Sequence, residues 1–403
     1  MINVAVLGYG TVGSGVVEVI TRNQEIISKK AGQDIKVKYV LDLRDFPGDP
    51  VQEILVHDYN VIVQDPEVDI VVEVMGGVNP AYTFVKSALE AGKSVATSNK
   101  ELVAVHGAEL LQVAKEKNVN FLFEASVGGG IPIIRTLTRA LTADEIFEIT
   151  GILNGTTNYI LSKMTDEGSD FDSVLKRAQE KGYAERNPEA DVEGYDACRK
   201  IAILTSLVCG KQVSYEDIYT EGITKITDVD FKYVKAMGAA VKLFGTTTIE
   251  DGKIYSMVSP FVIGEDHVLK NVNGVFNGVS IKSNMLGETM FYGKGAGKLP
   301  TASAVVSDVV DAARHMGKNI MTIWETEKVE LADIKDFACR FFVRVKASNT
   351  KSDIEAAFGN VTYIEADGIT GETAFLTDRI KERDFQDKIQ SLDMINRIRT
   401  TLA

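Results

Sequence analysis

The sequence predicts an α/β protein whose first part is a doubly wound parallel sheet, and three observations carry that expectation. The chain enters an apolar strand at once, Ile2 to Leu7, and passes directly into GYGTVGSG before helical spacing begins. Helix and strand patterns then alternate as far as about residue 125. The run DIVVEVM, 69 to 75, is apolar along nearly its whole length, as a strand covered on both faces must be. Such alternation implies parallel strands joined by helical crossovers.

Taken in order, Val16, Val17, Val19, Ile20 and Ile27 predict a helix from Val12 to about Lys30, and IKVKYVLDL, 35 to 43, a second strand. A helix from Ala81 to Glu90 is stopped by Gly92; SVAT at 94 to 97 is a strand, Glu101 to Lys117 a helix, and NFLFEA at 120 to 125 a strand. Beyond GGGIP, 128 to 132, the alternation weakens. Strand patterns near 145 to 152 and 254 to 282, with a buried helix over IAILTSLVC at 201 to 209, predict an α+β unit. The organisation expected is a dinucleotide-binding domain over 1–130, completed by a helix at about 296–320, a substrate-binding and dimerisation domain over 131–295, and a small domain over 333–403. In the last, CRFFVRVKA, SDIEAAF, NVTYIEAD, ETAFLTDR, a polar helix and MINRIRTTL follow a βαββαβ order that resembles a short ACT regulatory domain.

Length and charge narrow the function classes. The chain has 403 residues and a formal charge of −13, from 44 basic and 57 acidic residues, which speaks against nucleic acid or an anionic membrane surface as partner. Small-molecule chemistry is the default. Cys198, Cys209 and Cys339 lack close pairing and the four histidines are scattered, so neither a disulfide framework nor a zinc site is expected. MINVAVLG carries no basic flank or cleavage site, and no apolar run approaches the roughly 18 residues of a membrane span. A cytoplasmic protein is expected.

Gly8, Gly10 and Gly13 fit G-x-G-x-x-G after a strand and at the opening of a helix, where backbone N–H groups and the helix dipole receive a pyrophosphate. Two residues after the second strand predict opposite cofactors. Asp42 could accept from a ribose 2′-hydroxyl, favouring NAD, whereas Arg44 could pair with a 2′-phosphate, favouring NADP. MGGVNP at 75 to 80, TSNK at 97 to 100 and EASVGGG at 124 to 130 occupy the carboxyl ends of strands, where ligands bind in open sheets. Lys100 is thereby placed at the crevice, with a charge that ill suits a helix start.

The densest cluster of acids is GYAERNPEADVEGYDACRK, 182 to 200, which sets Glu185, Glu189, Asp191, Glu193 and Asp196 ahead of Lys200. Taken alone it could be a solvated loop followed by an ordinary Asp196–Lys200 helix pair, worth about 0.2–0.5 kcal/mol.

The spacing Ala178, Gly182, Tyr183, Ala184, Asn187, Pro188, Asp191, Gly194, Asp196 and Lys200 resembles the signature of homoserine dehydrogenases. VVEVMGG, AGKSVATSNKELVA, EASVGGGIPII, GILNGTTNYI and GKGAGKLPTASAVVSD also resemble family segments, with Ser98 where alanine is commoner. The resemblance covers residues 1 to about 320. It implies a Rossmann domain and the reversible NAD- or NADP-dependent interconversion of L-aspartate 4-semialdehyde and L-homoserine, in threonine, methionine and isoleucine biosynthesis.

The resemblance also implies residue roles. Lys200 would donate the proton and Lys100 would be the second polar group at the carbonyl; lysine suits such work because burial and neighbouring charges tune its acidity. Glu185, Asp191, Asp196, Thr156 and Tyr183 would hold substrate, with Glu189 and Glu193 plain surface acids. Gly8, Gly10, Thr11, Val12, Gly13, Arg44, Gly76, Ser98, Lys100, Gly182 and Gly297 would hold the cofactor. A sodium ion would rest largely on backbone carbonyls near Glu124, Val127, Gly129 and Ile131, and the protein would be a homodimer. A sugar- or imino-acid-type Rossmann oxidoreductase would share the glycine turn but not the Asp191-to-Lys200 signature. A non-catalytic NAD(P)-sensing regulator would have no use for both Lys100 and Lys200.

Overall fold

The computed structural model describes residues 1–321 and 324–402. Cα packing divides them into two compact units. The first comprises 1–144, 202–215, 293–321 and 324–329, and the second 145–201, 216–292 and 330–402.

The first unit is built on a six-stranded sheet whose strands are β1 (Ile2–Leu7), β2 (Ile35–Leu41), β3 (Leu55–Val56), β4 (Ile70–Glu73), β5 (Ser94–Thr97) and β6 (Phe121–Leu122). The order is β3-β2-β1-β4-β5-β6, every pair parallel. Order therefore reverses between β1 and β4, the switch point where open α/β sheets bind ligands. Val4, Ala5, Val6 and Leu7 of β1 and Ile70, Val71 and Val72 of β4 are wholly buried, which is why both read as continuous apolar runs. The helix Lys298–Arg314 also belongs here. Its carbonyl at Lys298 lies 2.9 Å from where a Cβ on Gly15 would stand, so only glycine lets the first helix pack so closely.

Local boundaries differ from those expected. The pattern from Val12 to Lys30 forms two helices, Thr11–Arg22 and Gln24–Ala31, because Asn23 ends the first turn sequence with its N–H on the Val19 carbonyl. NFLFEA forms only the two-residue β6, since Glu124–Ser126 turns into a tight 3₁₀ segment. Cα packing divides the chain after Asp144.

In the second unit a mixed sheet runs in the order 287–294, 276–283, 146–152, 240–250, 253–263, 394–400, 338–346, 372–377 and 361–364. The long strands 240–250 and 253–263 form one antiparallel ladder from Ala240↔Ile263 to Glu250↔Lys253. The final strand Met394–Thr400 joins 253–263 in parallel register, Phe261↔Arg399 and Val262↔Thr400. Residues 338–400 follow a strand, helix, strand, strand, helix, strand order, apart from the short strand Ile380–Lys381. They share this unit's sheet rather than forming a compact unit of their own.

Strand alternation explains how the C-terminal segment is held. Phe341, Val343 and Val345 turn into a cluster with Ile354, Phe358, Phe375, Phe385 and Ile389. Arg344 turns the other way and meets Asp230 at 2.7 Å and Glu372 at 2.7 and 2.9 Å. Arg399, buried completely, reaches Glu382 at 3.1 Å, Glu221 at 2.8 Å and Ser259 at 2.6 Å.

Candidate active site

The carboxyl end of β1 shows why the glycines are where they are. Gly8 has φ +97°, and its N–H donates to the Leu41 carbonyl at 2.8 Å. A Cβ on Gly13 would lie 1.9 Å from the Gly8 carbonyl oxygen, whereas nothing in the protein stands within 4 Å of one on Gly10. Internal packing thus accounts for Gly8 and Gly13 but not Gly10, whose bare backbone suits close approach of a pyrophosphate. Thr11 and Val12 open the helix there. Asp42 accepts from the Tyr9 N–H at 2.8 Å and takes the Arg44 guanidinium on both oxygens, each at 2.9 Å. That pairing holds the Asp42 carboxyl well below the usual range, and Asp42 and Arg44 together form one charged rim on the turn.

A second network shapes the ends of β4 and β5. Glu73 is wholly buried; it accepts from the Thr97 hydroxyl at 2.7 Å and from the N–H groups of Met75 and Gly76 at 2.8 and 3.4 Å. Burial pushes its carboxyl up. Asn99 donates to the Gly77 carbonyl at 2.6 Å and accepts from the Leu102 N–H at 3.1 Å, capping the helix Lys100–Glu116. The loop carrying Gly76, at φ +82°, is therefore clamped from below, with the half-buried Ser98 and Lys100 beside the clamp in sequence. Gly297, at φ +122°, precedes the helix Lys298–Arg314.

The segment 124–131 is irregular and buried at Glu124, Val127 and Ile131. Both Glu124 carboxylate oxygens are engaged by the backbone N–H groups of Ile134 and Arg135, at 2.9 and 2.7 Å. Gly129 has φ +55°, and an added Cβ would lie 2.2 Å from the Gly295 carbonyl oxygen. Among the described residues no cluster of three or more His, Cys, Asp or Glu side chains could hold a metal, so an ion here would need carbonyl ligands, which suit hard cations.

The second unit gathers the acidic signature around one lysine. Lys200, on the helix Tyr195–Cys209, donates to Asp196 at 2.7 Å and to the Leu153 carbonyl at 2.8 Å. Both side chains are largely buried, 12% and 10% exposed, so the i,i+4 pair is not the surface pair it could have been. The Asn154 amide donates to Asp191 at 2.7 Å and to the same Asp196 oxygen at 2.9 Å. Burial pushes the Asp191 carboxyl up, opposed by the Asn154 bond. Thr156 donates to the Tyr183 carbonyl at 2.6 Å, and Gly182, at φ +72°, ends the turn after the helix Phe171–Glu180.

Glu185, Glu189 and Tyr183 are exposed, while Glu193 is half-buried and accepts from Thr224 at 3.0 Å. Glu193 is thus a structural tie rather than a plain surface acid. Sequence reasoning passed over Asn154, Glu73 and Asn99. The signals were present: an asparagine directly before a helical run reads as a cap, and a lone acid inside an apolar strand needs partners.

A switch-point glycine turn together with a buried lysine–carboxylate cluster defines an NAD(P)-dependent oxidoreductase. Two family models, homoserine dehydrogenase and its NAD-binding domain, match residues 132–310 and 8–124. A homoserine dehydrogenase of Bacillus subtilis is 38% identical over 97% of this chain and 95% of its own. One of Mycobacterium tuberculosis is 45% identical over 78% of this chain and 73% of its own. The crystal structure of a homoserine dehydrogenase from Thiobacillus denitrificans superposes with TM-score 0.88 at 35% identity, covering 99% of this chain and 98% of that one. A hyperthermophilic archaeal homoserine dehydrogenase mutant in complex with NADPH matches with TM-score 0.66 at 30% identity, covering 77% of this chain and 97% of that one. The chain belongs to the homoserine dehydrogenase family. No helix among the described residues is long and apolar enough to cross a membrane.

Proposed function

We propose that Lys200 supplies the proton in the reversible reduction of L-aspartate 4-semialdehyde to L-homoserine. The observation that carries this reading is the fixed ammonium. Of its three N–H donors, two are spent on Asp196 and the Leu153 carbonyl, which leaves one to aim at a substrate oxygen. The nicotinamide, when bound, supplies the hydride that reaches the aldehyde carbon. Lys200 then protonates the alkoxide oxygen, and in the oxidising direction takes that proton back. Lys100 is the second cationic group assigned to this oxygen. Asp191, Asp196, Thr156, Tyr183 and the exposed Glu185 make up the substrate-holding set, in which carboxylates pair with the substrate ammonium. Production of NADPH from NADP on addition of L-homoserine, matched by formation of the semialdehyde, tests the reading.

Glu185→Gln is expected to raise KM for the amino-acid substrate about tenfold or more with a smaller change in kcat, as loss of one charge-assisted contact requires. Unchanged KM and kcat in steady-state assays would reject that role.

NADP is the favoured cofactor, with NAD also used. Arg44 is the support, since its guanidinium stands on Asp42 beside the glycine turn. The NADPH complex of the archaeal relative is consistent with that choice. Arg44→Ala should raise KM for NADPH much more than for NADH; equal effects would remove Arg44 from 2′-phosphate recognition.

Sodium held by the carbonyls of Glu124, Val127, Gly129 and Ile131 completes the site, and its work is to stiffen this irregular segment. A cytoplasmic homodimer is the assembly we favour, supported by the exposed Met285, Leu286, Met290 and Tyr292 at the edge of the second unit's sheet. The C-terminal segment, ACT-like in strand order, serves assembly rather than ligand sensing. Its 346–358 connection has no glycine to let a ligand near the backbone, and a Thr350–Asp353 capping box fills the helix start.

A further inference from the structure

The geometry points to Asn154 as the positioning residue of the proton-transfer site: its amide bridges Asp191 and Asp196, and so fixes the carboxylate that in turn holds Lys200. This deepens, and rests on, the assignment of Lys200 to proton transfer.

Three contacts carry it. The Asn154 Nδ2 group spends its two donors on Asp191 Oδ1 at 2.7 Å and Asp196 Oδ2 at 2.9 Å. Asp196 Oδ2 is also the atom that accepts from Lys200 at 2.7 Å. The side-chain oxygen of the same asparagine accepts from the Thr157 N–H at 2.8 Å and from the Thr157 hydroxyl at 3.1 Å, capping the helix Gly155–Glu167.

Asn154 is 6% exposed, so these bonds are made out of water, where a donor shared between two anions counts for most. Without it the buried Asp196 and the half-buried Asp191 would face each other with no donor between them. Asp191 registers that cost: burial and the Asp196 charge push its carboxyl up, and the Asn154 bond opposes them. The backbone contributes as well, because the residue before Asn154 offers the carbonyl that takes the second Lys200 proton. One dipeptide, Leu153-Asn154, thus sets the direction of the lysine from two sides.

The titratable groups facing the amide are Asp191 from the short helix Glu189–Val192 and Asp196 and Lys200 from the helix Tyr195–Cys209; Thr156 and Thr157 face it from its own helix. Removing the amide donor withdraws a hydrogen bond from the charged forms of both carboxylates. Their protonation then begins at higher pH, and a protonated Asp196 no longer orients the ammonium.

Asn154→Ser separates the two jobs of this side chain, since serine is an equally good helix cap but cannot bridge the carboxylates. The expected result is a kcat reduced about ten- to a hundredfold. The acid limb of the kcat–pH profile moves up by about one unit, a shift on the scale of one charge-assisted hydrogen bond. The melting temperature should fall by no more than a few degrees, since the cap is kept. N154D, which keeps the cap and places a third carboxylate between the other two, should move the limb further in the same direction. Thr157→Val, which keeps the capping N–H and both carboxylate bonds of the amide and removes only the hydroxyl bonds to Asn154, should leave the limb in place. An unmoved acid limb in N154S and N154D overturns the inference, whatever the rate. So does failure of both to fold, because that would make the amide a requirement of folding rather than of positioning. A Lys200→Met enzyme with normal kcat would instead sink the assignment of Lys200 itself.

Discussion

Lys200→Met is expected to lower kcat by about 10²–10⁴-fold, the contribution of a positioned acid or base, while NADPH affinity stays within about twofold of the parent. The glycine turn proposed for the pyrophosphate follows β1, whereas Lys200 stands on the helix Tyr195–Cys209. Methionine matches lysine in length and fills its space, so packing around the helix Tyr195–Cys209 survives. What is lost is the ammonium that Asp196 and the Leu153 carbonyl hold in place. Steady-state rates together with a fluorescence titration of NADPH separate the two effects. A near-normal kcat would take Lys200 out of the mechanism; lost NADPH binding would mean the variant disturbs the fold.

The second large effect is on stability. Arg399→Leu is expected to cost about 3–5 kcal/mol, the scale on which removing one partner of a buried ion pair destabilises a protein. Arg399 is wholly buried between Glu382, itself 1% exposed, and Glu221, and its guanidinium lies over the Tyr219 ring at 4.8 Å. Leucine would leave Glu382 with the more distant Arg397, at 3.3 Å, as its cation. The strand that carries Arg399 is also the one that ties residues 338–400 to the strand Lys253–Ile263. Urea unfolding followed by circular dichroism should show the midpoint fall sharply, with the C-terminal segment lost first in limited proteolysis. A midpoint within a few tenths of a molar of the parent would contradict the structural role given to this network.

The glycine turn was legible because each of its requirements is local. A positive φ at Gly8 and a Cβ clash at Gly13 follow from a tight strand-to-helix turn and leave their mark in eight consecutive letters. The same holds for β4, whose burial on both faces excludes polar residues until Glu73. The Asp191-to-Lys200 spacing was legible as chemistry because several acids before one lysine need a cation or a ligand among them. Asn154 was harder to see. Its cap role is local, but its two carboxylate partners lie 37 and 42 positions later in the chain. Arg399 is the extreme case: its partner Glu221 is 178 positions away, and the second of two arginines in MINRIRTTL reads like any other strand residue. The C-terminal element order could be read from strand and helix periods. The parallel pairing of Phe261 with Arg399, which makes that segment part of a larger sheet, could not, because parallel register is set by tertiary packing rather than by a turn.

The most direct test of the central claim is NADPH oxidation on addition of L-aspartate 4-semialdehyde, with amino-acid analysis of the product. The account predicts oxidation that saturates with the semialdehyde, forms one L-homoserine per NADPH consumed, and is slowed by about 10²–10⁴-fold in Lys200→Met while the variant still binds NADPH. Absence of semialdehyde-dependent oxidation with both NADPH and NADH, in a folded protein that binds the cofactor, would contradict it.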